Sequence, residues 1–289
     1  MSRTENGWVE LVRDAGTGIE SIRAHFDGHA YDPHFHDAYL IGVTEQGVQQ
    51  FHCRRALHRC TPGHVILIEP GEVHDGHAPE VAGFTYRMLY LDTAWLQDYC
   101  ERKSAASDRA VRLGFRSTLM EDPRLARVIL RACRSFHGRD PRLVRDTALD
   151  DLVDVLTGQP DGPVGGIGAA SSRAVPVAMR RLRDLLQARM SEEIGLDRLA
   201  QEVGTDRFRL TRQFRAAYGV APHAYLVQLR LNAARSYLAA GMAPAETAAA
   251  VGFADQSHLG RWFRRAYRLT PAAYRQLCTN VPDSQRWVT

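Results

Sequence analysis

The chain has 289 residues, room for roughly two domains of about 100–200 residues each, and its 45% hydrophobic and 24% charged residues are ordinary proportions for a globular protein. No apolar run approaches the roughly 20 residues needed to span a bilayer, and the first thirty residues lack the apolar core of a secretory signal, so the expected location is the cytoplasm, with no membrane partner. The five cysteines (Cys53, Cys60, Cys100, Cys133, Cys278) are odd in number and scattered, which fits reduced thiols better than a disulfide framework. The formal net charge of +4 hides an asymmetry: residues 1–179 carry 20 Lys+Arg against 24 Asp+Glu, and residues 180–278 carry 16 Arg against 8 Asp+Glu. An acidic front and a basic back point the second half toward nucleic acid or another anionic surface. Lys103 is the only lysine; a coding bias explains arginine over lysine, but not the clustering.

Residues 1–92 alternate short apolar runs with turn residues. Tyr39–Val43, Val65–Ile68 and Phe84–Leu91 read as strands, separated by Gly47, Pro62-Gly63 and Pro70-Gly71. Closely spaced short strands predict a small barrel or sandwich. From about Ala94 to Leu156 the pattern turns helical, with Asp-Pro helix starts at Pro123 and Pro141 and an apolar stripe of Leu143, Leu149, Leu152, Val153 and Leu156. Residues 158–176, rich in Gly, Pro and Ser, read as a flexible linker. Helical pattern resumes over 177–278, broken at Gly195, Gly204, Gly219, Gly241 and Gly252, and residues 279–289 form a loosely ordered tail. The expected fold is therefore multidomain α+β. Residues 1–157 make a β-barrel with trailing helices, and residues 177–278 make an all-α domain.

Residues 212–225 (RQFRAAYGVAPHAY) and 261–274 (RWFRRAYRLTPAAY) are identical at eight of fourteen positions and lie 49 residues apart. A repeat of this length means that one supersecondary unit has been used twice. Each copy has a short helix (around Leu199-Ala200, or Ala248) and a glycine turn (Gly204, Gly252). A second helix follows, opened by a capping residue (Thr205-Asp206, or Asp255). Leu210/Phe214 and Leu259/Phe263, at i and i+4, mark its core side. Its other face carries Arg207, Arg209, Arg212 and Arg215 in the first copy, and Gln256, His258, Arg261 and Arg265 in the second. That is a helix-turn-helix with a basic, hydrogen-bonding face. A solvated helical hairpin explains one such unit well; it explains two copies with the same arginines and turns poorly. Between them, 222–240 form one helix of roughly 28 Å, near the ~34 Å between successive major-groove faces.

The stretches LDRLAQEVGTDRFRLTRQFRAAYGVAPHAYLVQLRLNAARSYL and ETAAAVGFADQSHLGRWFRRAYRLTPAAYR closely resemble the AraC/XylS-type transcription regulators over about 100 residues. The resemblance implies two helix-turn-helix subdomains joined by a linker helix. It implies base contacts from Phe208, Arg209, Thr211 and Arg212, and from Gln256, Ser257 and Arg261. Thr247 stands where an aliphatic residue is common, and Arg268 where glycine is common; the first weakens a core, the second changes a turn or adds a phosphate contact.

The segment PHFHDAYLIGVTEQGVQQFHCRRALHRCTPGHVILIEPGEVHDGHA resembles the cupin-like ligand-binding domain found ahead of AraC-type DNA-binding regions. In metal cupins that pattern resembles His-x-His, a downstream Glu and a later His around one ion. Here His34, His36 and His74 match, and Ile41 stands at the Glu position. Three histidines can bind a divalent metal or line a polar pocket; pocket lining is the expectation, with no metal or other cofactor. His52, Cys53, His58 and Cys60 lack a metal-site spacing and split between strand faces. A small barrel suits one small ligand, with Tyr39, His74 and Arg87 as polar contacts and Arg87 suited to a carboxylate.

The expected function is a sequence-specific, effector-responsive transcription regulator and not an enzyme. Its partners are promoter DNA, a small-molecule effector, a second copy of the chain through the front domain, and RNA polymerase if it activates. The alternative is a metal-dependent cupin enzyme fused to a DNA-binding domain.

Overall fold

The computed structural model describes residues 2–4, 7–103, 114–157 and 175–279. The linker expected at 158–176 and the tail at 279–289 lie almost wholly outside the described residues. The first part of the chain is β-rich: β1 (Ser2–Thr4), β2 (Gly7–Arg13), β3 (Glu20–Phe26), β4 (His29–His34), β5 (Ala38–Gly47), β6 (Gln49–Cys53), β7 (Ala56–Cys60), β8 (Val65–Ile68), β9 (His74–His77) and β10 (Phe84–Asp92). Then come α1 (Thr93–Lys103), β11 (Leu119–Met120), α2 (Pro123–His137) and α3 (Arg142–Thr157). The larger sheet runs β1-β2-β3-β10-β5-β8-β11, and the smaller β4-β9-β6-β7. The three strands expected from the sequence are all present, each extended or unchanged.

The larger sheet is buried on both faces, so its central strands read as continuous apolar runs without alternation. In β5, Leu40 turns into the barrel core with Phe26, Phe51, Ile66, Phe84 and Met88. Tyr39, Ile41 and Val43 turn the other way, onto a second core completed by α2 and α3. Asp122 caps α2 by accepting from the amides of Arg124 and Leu125, with Pro123 in the first turn. Most of the apolar stripe on α3 is spent inside this domain: Leu149, Leu152, Val153 and Leu156 are buried against the sheet and α2, while Leu143 is 75% exposed.

The second part is helical: α4 (Val177–Ala188), α5 (Leu196–Glu202), α6 (Arg207–Tyr218), α7 (Pro222–Ala239), α8 (Pro244–Val251), α9 (Gln256–Tyr267) and α10 (Pro271–Thr279). Helices α4, α5 and α6 share one core through Leu182, Leu199 and Phe214. Helices α8, α9 and α10 share another through Val251, Phe263 and Tyr274, and α7 contributes to both. Thr247 is buried in the second core with no partner for its hydroxyl among the described residues, a desolvation cost of about 1–3 kcal/mol that an aliphatic side chain avoids.

The α3 stripe gives a direct check by denaturant unfolding. Leu152→Ala should lose about 2–5 kcal/mol of stability as a cavity forms, whereas Leu143→Ala should change it by less than about 0.5 kcal/mol. The reverse order would mean that the stripe faces outward.

Candidate nucleic-acid interface and barrel site

The two repeat copies are built alike. Asp206 caps α6 by accepting from the amides of Phe208 and Arg209, and Asp255 caps α9 by accepting from His258. Leu210 and Phe214 root α6 in its core, and Leu259 and Phe263 root α9 in its own. The turns before them need positive φ, at Gly204 (+72°) and Gly252 (+86°). At Gly252 a Cβ would also lie 2.5 Å from the Ser191 carbonyl oxygen, so the turn packs against the chain before α5.

Arg207, Phe208, Arg209, Arg212 and Arg215 of α6 are exposed, and Thr211 is half-buried with its hydroxyl donating to the Arg207 carbonyl. Phe208 is 72% exposed with the Arg207 guanidinium over its ring. Four arginines, Arg207, Arg209, Arg212 and Arg215, share this exposed stretch of α6 with it. On α9, Gln256, Ser257, Arg261 and Arg265 are exposed, and His258 is half-buried, accepting from the Trp262 indole N–H at 3.0 Å. All eleven residues expected on the reading faces thus lie along α6 and α9. Among the described residues, Arg265 is the one of them that makes an ion pair with the barrel domain, to Asp32, and this bond holds the Asp32 carboxyl below its usual range.

The repeat is broken at its C-terminal caps. Gly219 closes α6 at φ +81°, and the matching position after α9 is Arg268 at φ +57°. Left-handed backbone costs a non-glycine residue about 1–2 kcal/mol. Here the guanidinium of Arg268 donates to the carbonyls of Ala30 and His29. The turn is therefore conserved in shape, and the side chain faces the barrel domain.

The histidine cluster lies where the two parts of the chain meet. The register of β4 against β9 sets His34 opposite His74. With His36 they are buried, and their ring nitrogens lie within 4.8 Å of one another. His34 donates through Nδ1 to the Asp32 carbonyl at 2.7 Å, and His74 to the Glu72 carbonyl at 2.9 Å. Burial and the neighbouring His74 ring push His34 down to about 3, burial pushes His74 down to about 4, and burial holds His36 well below its usual value. Each shift favours the neutral imidazole, the form that ligates metals. Ile41, at the cupin carboxylate position, points away into the helix-facing core.

Two expected ligand contacts are corrected. Tyr39 packs edge-on against Phe115 in the helix-facing core. Arg87 donates to Glu45 at 2.6 Å, next to Arg23, which donates at 2.8 Å. Strand alternation turns both away from the barrel cavity, which is lined by His34, His74, Tyr31, Tyr86, Tyr90 and Gln49 among others. The three tyrosines and Gln49 escaped the sequence reading because nothing in β4, β6 or β10 distinguishes the cavity face from the other. The free volume there is about 30 Å³. The His52/Cys53/His58/Cys60 group splits as expected: both thiols are buried, and His52 faces solvent beside Asp75.

Arg235 of α7 closes the contact between the two parts. It forms an ion pair with Glu20 of β3, donates to His36 Nδ1 at 3.5 Å, and lies over the rings of Tyr90 and Tyr267, both at 5.1 Å. Tyr274 also donates to Glu20. Leu11 of β2 packs into the core of the second helical unit. Phe35 stacks on Tyr225 at 4.9 Å in the first.

Comparison with known proteins agrees with this geometry. Residues 16–153 match the model of the AraC-like ligand binding domain, and residues 199–277 match a helix-turn-helix domain. YbfI, an HTH-type transcriptional regulator of Bacillus subtilis, is 24% identical over 257 residues, covering 88% of this chain and 90% of its own. The arabinose operon regulatory protein of Escherichia coli is 22% identical over 245 residues, covering 83% and 81%. Apo ToxT from Vibrio cholerae shares the fold, with a TM-score of 0.54 at 15% identity over 93% of this chain and 100% of that one. The chain belongs to the AraC family of transcription regulators, with an AraC-like ligand-binding domain ahead of a double helix-turn-helix domain.

Proposed function

We propose that this regulator reads two neighbouring major-groove segments of promoter DNA with unequal faces, and that its barrel domain restrains the second face until an effector binds. The observation that carries the reading is the pair of capped, core-anchored helices at either end of the 18-residue α7, which spans roughly 27 Å. Helix α6 supplies Arg207, Phe208, Arg209, Thr211, Arg212 and Arg215, a mainly electrostatic surface. Helix α9 supplies Gln256, Ser257, His258, Arg261 and Arg265, where amide, hydroxyl and imidazole groups favour base readout over phosphate contact alone. The protein acts in the cytoplasm as a homodimer, with RNA polymerase as its further partner if it activates. The buried α3 stripe is unavailable for dimerisation, and the exposed Leu143 and Val144 at the start of α3 are an apolar surface that supports another. No catalytic role is assigned: the cupin carboxylate is absent, and Ile41 faces the wrong core.

Restraint follows from Arg265. While it holds Asp32, it is not free to meet DNA. Arg268 on the Ala30 and His29 carbonyls adds to the hold on α9; Arg55 on the Ala216 carbonyl at 3.0 Å ties α6 to the barrel domain as well, but leaves its reading arginines unpaired with that domain among the described residues. An effector that favours a different seating of the barrel domain would shift the population toward a DNA-competent arrangement by its difference in affinity for the two. Footprints with and without effector should then differ; identical footprints and affinities would count against the mechanism.

Asp32→Asn removes the charge that holds Arg265. Both partners are substantially exposed, so the release is worth about 0.2–1 kcal/mol. Effector-free DNA binding should tighten by up to about fivefold by titration, and no change would sink the restraint. Arg212→Ala and Arg261→Ala should each cost about 1–3 kcal/mol concentrated at one base position. A loss spread evenly over all sequences would reassign them to phosphate.

A further inference from the structure

We propose that His34, His36 and His74 form a binding site for one divalent transition-metal ion, and that filling it detaches Arg235 from His36. The binding stands on geometry alone; its consequence for DNA rests on the restraint reading above.

Among the described residues these three are the one group of potential metal ligands whose donor atoms all lie within 4.8 Å of one another. Imidazole nitrogens around a tetrahedral ion at about 2.05 Å sit roughly 3.3 Å apart, so each ring needs to shift by about 1 Å or less. Two rings are already aimed. The Nδ1–H groups of His34 and His74 are committed to the backbone carbonyls of Asp32 and Glu72, which leaves each Nε2 lone pair for the ion, the usual outer-shell arrangement of a ligating histidine. Three imidazoles with no carboxylate select zinc, cobalt, nickel or copper over magnesium or calcium. The adjoining free space of about 30 Å³ holds one water or one small ligand as a fourth partner, and no organic effector of ordinary size.

His36 couples the site to the rest of the chain. Its Nδ1 accepts from Arg235 at 3.5 Å, which keeps the ring proton on Nε2. An ion bound through Nε2 moves that proton to Nδ1, where it faces a guanidinium that has only donors. An ion bound through Nδ1 takes the acceptor outright. Either way Arg235 loses His36 and gains a dication as neighbour. Arg235 belongs to α7, the helix that joins both reading units, and its remaining anionic partner is Glu20 of β3. The site thus reaches the DNA-binding half through Arg235, beside the Tyr267 ring of α9 that lies 6.2 Å from the His36 ring.

The test uses the full chain after chelator treatment, titrated with Co(II) alone. Visible d–d absorption should saturate at one ion per chain and disappear in His34→Ala and His74→Ala variants that retain native circular dichroism. No saturable signal, or a signal that survives both substitutions, overturns the site. If those variants do not fold, X-ray absorption of the Zn(II)-loaded wild type decides instead: a shell of three imidazoles supports it, and sulfur in the shell overturns it. With DNA selected in vitro by the metal-free protein, Zn(II) should change affinity at least about threefold, and DNA should change Zn(II) affinity by the same factor. Metal binding with unchanged DNA affinity overturns the coupling through Arg235. Metal binding is read without DNA, so its failure beside intact DNA recognition removes this site and leaves the regulator reading standing.

Discussion

The relation between the two halves of this protein depends on one buried ion pair, Arg235 with Glu20. Glu20 sits on β3 with its side chain 7% exposed, and Arg235 sits on α7 at 12%. Withdrawing both charges from water is costly, and mutual attraction offsets that cost only with good geometry and further partners. The partners are present. Tyr274 donates to Glu20, Arg13 approaches it at 3.8 Å, and three tyrosine rings surround the guanidinium. Such a cluster adds little net stability compared with an apolar contact. Losing Glu20 is another matter, because the buried Arg235 charge left behind has no other carboxylate partner among the described residues, at about 3–5 kcal/mol. The pair therefore specifies how the barrel sits on the helices. The same seating places Leu11 in the second helical core, Arg268 on the β4 carbonyls and Arg265 on Asp32.

The duplicated unit gains meaning from that placement. In isolation α6 and α9 are near-equivalent, with the same cap, core pair and turn. In the whole chain they are not. Among the described residues, helix α6 shows its reading face to solvent without an ion pair to the barrel, whereas α9 lies against it and lends it an arginine. The αL position at the end of each helix makes the difference concrete. Gly219 serves the first copy as a turn alone, and Arg268 serves the second as both turn and tether. Both units touch the barrel domain, the first through Phe35 on Tyr225 and Arg55 on the Ala216 carbonyl, and the departure from glycine falls on the unit whose reading arginine is also held.

Much of this was legible in the sequence, and the limits were physical. The double helix-turn-helix was readable because its signals are local: Asp caps, glycine turns and Leu/Phe pairs at i and i+4 each act within a few residues. The main strands were readable because they are apolar throughout. That same continuity hides which side faces inward, so the sequence places Tyr39 and Arg87 at a cavity that strand alternation turns them away from. Tyr31, Tyr86 and Tyr90, which do line it, carry no distinguishing pattern. The convergence of His34, His36 and His74 was suggested by motif and given its spacing by the β4–β9 register. Arg235, Glu20 and Asp32 had no local signature. Their significance lies in contacts between residues more than two hundred positions apart, which no periodicity or capping rule reaches.

The restraint of α9 by the barrel domain is most directly tested by distance. Spin labels at Leu57 in β7 and Ala254 before α9, both exposed, report the separation of the barrel from the second reading unit. Pulsed dipolar spectroscopy of the full chain, free and bound to an in vitro selected DNA site, compares the two arrangements. If Asp32 must surrender Arg265 for DNA to be read, the distance distribution shifts when DNA binds. Superimposable distributions with the DNA fully bound would contradict the restraint.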